Sequence, residues 1–272
     1  MYKSILRNPQ AVVGIIMILI VLTAAIFAPN LAPNDPNEVD IYNTFAKPNR
    51  GYPLGTDEMG RCILSRLLSG ASHSMGIAIP ALLILTVFST ALSVTCAYAG
   101  GLLDKVFNIV CNIFMAFPPI LVAVTLVGSL GNGYWNIMFS LLFSMWVWYA
   151  RVIRTYVLQE KGKDYIVACR VSGCNNRKIL TRHILPNILP HLLVYFSTGI
   201  ASIILTISIF AYLGLGFATG TAEWGSMFST AASHLQTHPV LLVYPGICII
   251  FTAAGFNLFG EALRDILSRE EA

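Results

Sequence analysis

The sequence predicts an all-α, polytopic integral membrane protein with six transmembrane helices. Of its 272 residues, 56% are hydrophobic and only 11% are charged, and the mean hydropathy is +0.71. Soluble domains carry about 25% charged residues. Several apolar runs are also long enough to cross a bilayer and leave no polar face for water. A third observation, the clustering of basic residues described below, fits the same class.

The first three helices follow from apolar runs in the N-terminal half. Residues 11–28 are uninterruptedly apolar, and no clear cleavage site follows them, so they predict a membrane span rather than a signal peptide. A polar loop is predicted over residues 29–73. The second span covers about 74–100 and the third about 104–128, in which Pro118 and Pro119 predict a kink.

The last three helices frame a basic segment. The fourth span, about 134–154, ends with Trp146, Trp148 and Tyr149, residues suited to a membrane interface. The fifth is predicted over about 188–217 and the sixth over about 241–262. A loop over 218–240 separates them and contains neither Lys nor Arg.

The distribution of basic residues predicts the orientation. Eight of the 17 Lys and Arg residues lie between Arg151 and Arg182, and a six-span arrangement places 13 of the 17 on the side of the two termini. Lys and Arg resist translocation, so both termini and the basic segment are expected in the cytoplasm. In a soluble protein such a cluster would suggest nucleic acid, but in a membrane protein it indicates a cytoplasmic loop, and no nucleic-acid partner is expected.

Some functional classes lack their usual signals. The six cysteines form no C-x-x-C pair and are expected to act as small apolar residues. Few charges fall within the spans, whereas an ion-coupled carrier usually keeps some for coupling. The sequence contains no G-x-x-x-x-G-K-[ST] loop, so any ATP would be used by another chain.

The basic segment has a helix–turn–helix pattern. Asp164 is the expected N-cap, and Tyr165, Ala168 and Cys169 are expected on one helical face. Gly173 is predicted to end the helix, and a second helical stretch is predicted to run to Pro186. From these residues alone, the segment suits either a groove on a partner protein or a lipid headgroup surface.

The stretch "DYIVACRVSGCNNRKILTRHILPN" resembles the EAA loop of ABC importer permeases, E-A-A-x3-G-x9-I-x-L-P. Ala168, Gly173, Leu185 and Pro186 match it at the family's spacing. Three positions depart from the pattern: Val167 stands at the glutamate, Cys169 at the second alanine and His183 at the isoleucine.

Two further stretches resemble the second, C-type permease of the dipeptide, oligopeptide and nickel group. "PLGTDEMGRCILSRLLSGASHS" is similar to the family's L-G-T-D-x-x-G-R-D-x-x-S-R segment, with Cys62 in place of an aspartate. "AYLGLGFATGTAEWGSM" is similar to its F-L-G-L-G…E-W-G segment. In the first of these, Asp57, Arg61 and Arg66 are expected either to contact a binding protein or to pair with one another and fix the loop.

The resemblance implies a type I ABC transmembrane domain in a bacterial inner membrane. Residues 1–73 would be an N-terminal helix and extracytoplasmic loop, and residues 74–266 a permease core with a coupling loop at about 160–187. The implied partners are a second permease, two cytoplasmic ATPases that use ATP, an extracytoplasmic solute-binding protein and the lipid bilayer. No cofactor is expected on this chain. The residues expected to couple to an ATPase are Asp164, Tyr165, Ala168, Gly173, Arg177, Lys178, Leu185 and Pro186.

The sequence specifies the solute and its path less closely than it specifies the fold. "WVWYARVIR" and "TAEWGSM" favour nickel, a metal or a metal–chelator complex over the alternative, a dipeptide or oligopeptide. Met115, Phe117 and Pro118 either line the path or only pack helices. His234 and His238, spaced i, i+4, are weak metal candidates and otherwise polar residues of an external loop.

Two functions of another class remain as alternatives. A stand-alone secondary carrier would need an intramembrane carboxylate or histidine pair, and a membrane-embedded enzyme would need clustered polar groups at the bilayer face. The sequence shows neither, so a transport subunit without catalytic residues is expected.

Overall fold

The computed structural model describes residues 2–218 and 220–270. Met1, Thr219, Glu271 and Ala272, which belong to the predicted N-terminal segment, outer loop and charged tail, lie outside the described residues. The described residues form eleven α-helices and no strand. The helices are α1 (Tyr2–Arg7), α2 (Pro9–Leu31), α3 (Ile63–Ala99), α4 (Gly101–Met115), α5 (Pro119–Leu130), α6 (Tyr134–Lys161), α7 (Asp164–Val171), α8 (Asn176–Ile179), α9 (Leu185–Tyr212), α10 (Trp224–Ala232) and α11 (Val240–Glu270).

Five stretches of helix are long and apolar enough to cross a membrane. They are Pro9–Leu31, Ile63–Ala99, Tyr134–Lys161, Asn176–Tyr212 and Val240–Leu267. Helices α4 and α5 together supply a sixth candidate, bent by 75° at the break between them. The predicted kink at Pro118 and Pro119 is therefore a full break. The first proline disfavours helical backbone at Phe117, and the second starts α5.

The helices pack around α3. This helix contacts α6, α2 and α9, while α11 packs on α9 and α2. The interior of the bundle consists of aliphatic side chains, including Ile77, Leu85, Leu141, Ile203 and Ile204. We call the end with α7 and α8 the basic end, and the end with the loops before α3 and before α11 the capped end.

The second membrane helix begins at Ile63 rather than at about 74, so residues 73 and 74 lie within one helix. The sequence suggested a loop here because Ser65, Arg66 and Ser69 interrupt the apolar pattern. Two of them, Ser65 and Arg66, have partners in the loop before α3. The backbone N–H of Asn34 donates to Ser65 Oγ at 3.1 Å, and Arg66 Nη1 donates to the Pro36 carbonyl oxygen at 3.1 Å.

The fifth membrane helix also differs from the prediction. Helix α8 runs through one π-helical turn, Leu180–Ile184, into α9, so the chain stays helical from Asn176 to Tyr212 rather than ending at Pro186. In this turn the N–H of Leu185 donates to the carbonyl of Leu180, one residue beyond the α-helical partner. The widened turn precedes Pro186, whose ring would otherwise press on the carbonyl four residues back.

Buried ion pairs fix the loop at the capped end. Arg61 Nε lies 2.7 Å from Asp57 Oδ2, and Arg66 Nε lies 3.4 Å from the same oxygen. Arg61 also pairs with Glu58 at 2.7 Å. All four side chains are largely shielded from solvent. The pairing of Asp57, Arg61 and Arg66 with one another, one of two alternatives, is thus confirmed.

The predicted loop 218–240 contains a short helix, α10. The Glu223 carboxylate caps it by accepting from Ser226 N at 3.0 Å, and Trp224 Nε1 donates to the Leu67 carbonyl at 2.9 Å. Burial raises the pKa of Glu223, and the hydrogen bonds from Ser226 N and Ser74 act in the opposite direction. These contacts attach the E-W-G stretch to the start of α3.

We expect Gly60→Ala to destabilise the protein more than Gly131→Ala. Both glycines have positive φ, +74° and +84°, a conformation that costs an L-residue about 1–2 kcal/mol. An added Cβ at Gly60 would also overlap the Asp40 carbonyl, whereas at Gly131 it meets open space. Apparent unfolding temperatures in detergent test this, and equal losses for the two variants would contradict it.

Candidate functional site

The basic segment forms a compact turn between α7 and α8. The Ser172 N–H donates to the Ala168 carbonyl at 2.9 Å, and the Cys174 N–H reaches the Cys169 carbonyl at 3.0 Å. Gly173 lies between them with φ +81°, the left-handed conformation that glycine adopts most readily after a helix. The predicted helix end at Gly173 is confirmed.

The start of α7 differs from the prediction. Lys163 is the N-cap residue, and Asp164 is the first helical residue rather than the cap. The Lys163 N–H donates to the Glu160 carbonyl at 3.2 Å, which turns the chain one residue earlier than the sequence suggested. Asp164 still lies in the first turn, where its negative charge interacts favourably with the helix dipole.

Helix α7 has one exposed face and one packed face. Asp164, Val167, Ala168 and Val171, spaced i, i+3, i+4 and i+7, are exposed. Tyr165, Ile166 and Cys169 face the bundle. The prediction that Ala168 shares a face with Tyr165 and Cys169 is wrong. Ala168 lies about 60° around the helix from Tyr165, which places it on the exposed side of the boundary between the two faces.

Beyond Asp164 in its first turn, the exposed face is apolar and of low relief. Val167 is 52% exposed and Val171 is 85% exposed. Around Gly173, no atom lies within 4 Å of an added Cβ. A surface of small side chains loses little conformational entropy when a partner covers it.

A buried carboxylate fastens the packed face of α7. Glu160, at the end of α6, accepts a hydrogen bond from the Tyr165 hydroxyl and another from Asn187 Nδ2 at 3.0 Å. It also pairs with Lys163 at 2.8 Å. Burial and the bond to Glu160 raise the pKa of Tyr165 to about 12, so its hydroxyl stays protonated as a donor. One side chain thus joins α6, α7 and α9.

Tyr98, at the end of α3, provides the second attachment. Its hydroxyl donates to Asn176 Oδ1 at 2.7 Å, and the Arg170 guanidinium lies 5.6 Å from its ring centroid. Lys161 Nζ donates to the carbonyls of Ala97 and Tyr98 at 2.9 and 2.8 Å. Both α7 and α8 therefore contact the end of α3.

The residues expected to couple fall into two groups. Asp164, Ala168, Gly173, Arg177, Lys178 and Pro186 are exposed, and Tyr165 and Leu185 pack against the core. The sequence pattern did not predict Glu160, Asn187 or Tyr98 as attachments of this segment. Glu160 had a recognisable signal, since it is one of only two acids among the eight basic residues of this region.

Two of the departures from the EAA pattern contact each other. Cys169 Sγ lies 3.8 Å from His183 Nε2, and the His183 ring centroid lies 6.0 Å from that of Tyr165. The cysteine and histidine stand where the pattern has an alanine and an isoleucine, and they form a polar contact between α7 and the π-helical turn. The third departure, Val167, lies on the exposed face of α7.

The three residues weighed for the path lie together at the break between α4 and α5. Met115 Sδ accepts from Arg151 Nη1 at 3.1 Å, while Phe117 and Pro118 are exposed. A role in the path stays a prediction.

His234 and His238 pack on Phe45 at the capped end. The ring of His238 stacks on Phe45 with centroids 4.1 Å apart, and His234 meets it edge-on at 5.2 Å. The histidines lie in a turn after α10, where the His238 N–H donates to the His234 carbonyl at 2.8 Å. Within residues 2–218 and 220–270, no group of three or more His, Cys, Asp and Glu is placed to hold a metal ion.

Comparison with known sequences identifies the family. Residues 89–271 match the family described as binding-protein-dependent transport system inner membrane component. The chain belongs to this family. Residues 1–48 also match the N-terminal transmembrane domain of oligopeptide transport permease C.

Individual relatives of this permease cover nearly its whole length. The nickel transport system permease protein NikC of Escherichia coli (strain K12) is 31% identical over 93% of this chain and 92% of its own. The metal-staphylopine import system permease protein CntC of Staphylococcus aureus (strain NCTC 8325 / PS 47) is 34% identical over 96% and 91%. The dipeptide transport system permease protein DppC of Alkalihalophilus pseudofirmus is 32% identical over 98% and 88%. The chain is therefore a permease subunit of the ABC importer group.

We expect Tyr165→Phe to loosen α7 in this permease. The change keeps the ring but removes the hydroxyl that donates to Glu160, a loss of about 1 kcal/mol. Limited trypsin digestion should then cut faster at Arg170 and Arg177 while membrane insertion is unchanged. Tyr212→Phe, at the other end of α9, is the control, and trypsin should cut this variant at the wild-type rate. An unchanged rate for Tyr165→Phe would show that the hydroxyl does not fasten α7.

Proposed function

We propose that this permease forms half of the translocation path of an ATP-driven importer, and that the segment 160–187 transmits the movement of a cytoplasmic ATPase. The observation that carries the proposal is the exposed, small-residue face of α7 on a segment fastened through Glu160 and Tyr98. On this proposal the basic end and both termini lie in the cytoplasm of a bacterium, beneath the inner membrane. A second permease, two ATPases and a solute-binding protein complete the importer.

Rigid attachment makes the segment suitable as a lever. A partner that moves α7 must also move α6 and α9, because separating them would leave the buried Glu160 carboxylate without its donors. Helix α3 is attached to the same segment through Tyr98. The partner ATPases supply ATP binding and hydrolysis, and this chain supplies no catalytic residue and binds no cofactor. ATP binding draws the ATPases together, and the change of path follows as a rigid-body transition of the permeases.

The chain's relatives carry several kinds of solute. Their names specify nickel, metal-staphylopine, dipeptides and oligopeptides, at identities that differ by only a few per cent. We propose a solute from this set. Nickel or a metal–chelator complex, favoured by the stretches around Trp148 and Trp224, is one option among several that the relatives support equally.

Transport assays test the function. The chain should purify with a second permease and two ATPases, and proteoliposomes of that complex should take up labelled solute only with ATP and the cognate binding protein. Nickel, chelated nickel and dipeptides would be compared in parallel. Uptake by this chain alone, without ATP, would contradict the proposal and favour a secondary carrier.

Substitutions at Gly173 test the coupling role. Gly173→Trp should assemble normally but lose most solute-stimulated ATPase activity, about tenfold or more, because a large side chain at the tip keeps the ATPase groove from closing on α7. Gly173→Asn should retain more activity, since asparagine tolerates positive φ. Gly101→Trp is the control, because Gly101 also has positive φ, +60°, and open space around it. Full stimulation in Gly173→Trp would remove the coupling role.

A further inference from the structure

A thiol and an imidazole meet where α7 packs on the π-helical turn. Cys169 Sγ lies 3.8 Å from His183 Nε2. Both side chains are half-buried, so small molecules in the surrounding water can reach the sulfur. Neither residue belongs to the EAA pattern, which has an alanine and an isoleucine at these positions. The pair is therefore a feature of this chain that the pattern does not explain.

The imidazole can act as a base toward the thiol. The thiolate, not the thiol, is the nucleophilic form of cysteine. In the tautomer that leaves Nε2 unprotonated, His183 accepts the proton of Cys169. A nucleophile and its base within hydrogen-bonding distance are the two parts that thiol chemistry requires.

The segment around the pair carries an excess of positive charge. Residues 160–187 contain two acidic side chains, Glu160 and Asp164, and six basic ones. The six are Lys161, Lys163, Arg170, Arg177, Lys178 and Arg182. Glu160 is paired with Lys163 at 2.8 Å, which offsets one of the two negative charges. The remaining excess favours a thiolate and attracts anionic molecules from solution.

The same charges disfavour a metal ion at this pair. A cation would bind there against the field of the basic residues, and metal sites in proteins usually have three or four protein ligands. In the part of the chain that the structure describes, no third His, Cys, Asp or Glu joins the pair. Tyr165, whose ring centroid lies 6.0 Å from that of His183, stays neutral because its pKa is about 12. The arrangement therefore fits covalent chemistry with an anionic reagent better than metal binding.

We propose that Cys169 is a site of reversible modification by small anionic disulfides of the cytoplasm, with His183 as its base. The inference rests on the proposed function, which places the basic end in the cytoplasm. As the Cys169 proton passes to His183 Nε2, the sulfur attacks one sulfur of the disulfide. A new S–S bond forms, the original S–S bond breaks, and the leaving thiolate takes the proton from His183. The Cys169 sulfur is oxidised and the leaving sulfur is reduced, so the disulfide is the only co-reactant.

The modification would regulate the coupling segment. Cys169 faces the bundle, so a group bonded to its sulfur occupies space between α7 and the π-helical turn. It separates Cys169 from His183 and moves α7 away from its packed position. Coupling to the ATPase then weakens until a thiol removes the group. Disulfides of this kind in the cytosol are usually transient and sense the redox state.

The experiment treats the purified importer in nanodiscs with 3,3′-dithiodipropionate, an anionic disulfide, and follows each cysteine by peptide mass spectrometry. Cys169 should be modified faster than Cys174, a half-buried cysteine of the same segment. Solute-stimulated ATPase activity should fall in step with the modified fraction of Cys169 and return after dithiothreitol. Cystamine, a cationic disulfide of similar size, should react more slowly with Cys169 once each rate is divided by its rate with free cysteine. High salt should reduce this difference.

Two variants restore the residues of the EAA pattern. Cys169→Ala should keep its stimulation during the treatment, which separates modification of this residue from modification of the partner subunits. His183→Ile should slow modification of Cys169 about tenfold, because a thiol without a base is only a few per cent thiolate at pH 7. The rate at Cys174 should not change in His183→Ile. The comparison of Cys169 with Cys174 in the wild type needs no variant to fold.

Three outcomes would overturn the inference. Cys169 could react no faster than Cys174, or it could react at the same rate in the wild type and in His183→Ile, which would make the contact a structural hydrogen bond only. Full stimulation with Cys169 completely modified would remove the regulatory role. Absence of solute-stimulated ATPase activity in the untreated wild-type importer would instead contradict the proposed function.

Discussion

The buried carboxylate of Glu160 is the interaction on which the basic end depends. It lies where α6 ends and accepts bonds from α7 and from α9. A buried carboxylate deprived of its donors costs more than each bond contributes, because the charge then has neither water nor protein partners. The three helices are therefore fastened at one point, and α7 follows the bundle instead of swinging from it.

Three polar side chains of the basic segment form hydrogen bonds within the chain, and the outer face of α7 beyond Asp164 is apolar. Tyr165 and Asn187 are occupied by Glu160, and Asn176 is occupied by Tyr98. Covering Val167, Ala168 and Val171 therefore breaks no hydrogen bond within the chain. The basic side chains of α8 remain exposed beside this face, where their charge can guide an approaching acidic surface at little cost in stability.

The sequence sufficed for features decided locally. Uninterrupted apolar runs predicted the spans, and the chain direction at Gly173 followed from the need for positive φ. The predictions were wrong where contacts with a distant part of the chain, or a change of helix type, determine where a helix begins or ends. Arg66 looked like a loop residue, but partners at Pro36 and Asp57 allow it to lie within α3. Pro186 looked like a helix end, but a π-helical turn lets the helix continue.

The residues expected to couple show the same division. Spacing identified Ala168, Gly173, Leu185 and Pro186, yet it could not separate residues that meet a partner from residues that hold the segment. Tyr165 holds the segment, because its hydroxyl donates to Glu160. Glu160 lies five positions earlier in the chain and is not part of the EAA pattern. The exchange of alanine and isoleucine for Cys169 and His183 is likewise intelligible only when their contact is seen.

At each end of the bundle, one buried acidic residue joins several side chains. At the capped end Asp57 joins Arg61 and Arg66, and at the basic end Glu160 joins Lys163, Tyr165 and Asn187. Between them the helices meet mainly through apolar side chains, which resist compression but carry no directional bonds. Helix α3 carries Arg66 of the capped-end cluster near its start and, at its end, Tyr98, which contacts Asn176 and Arg170 of the basic segment. Three long helices, α3, α6 and α9, therefore run from the attachments of α7 into the bundle, whereas α4 and α5 are separated by a 75° bend.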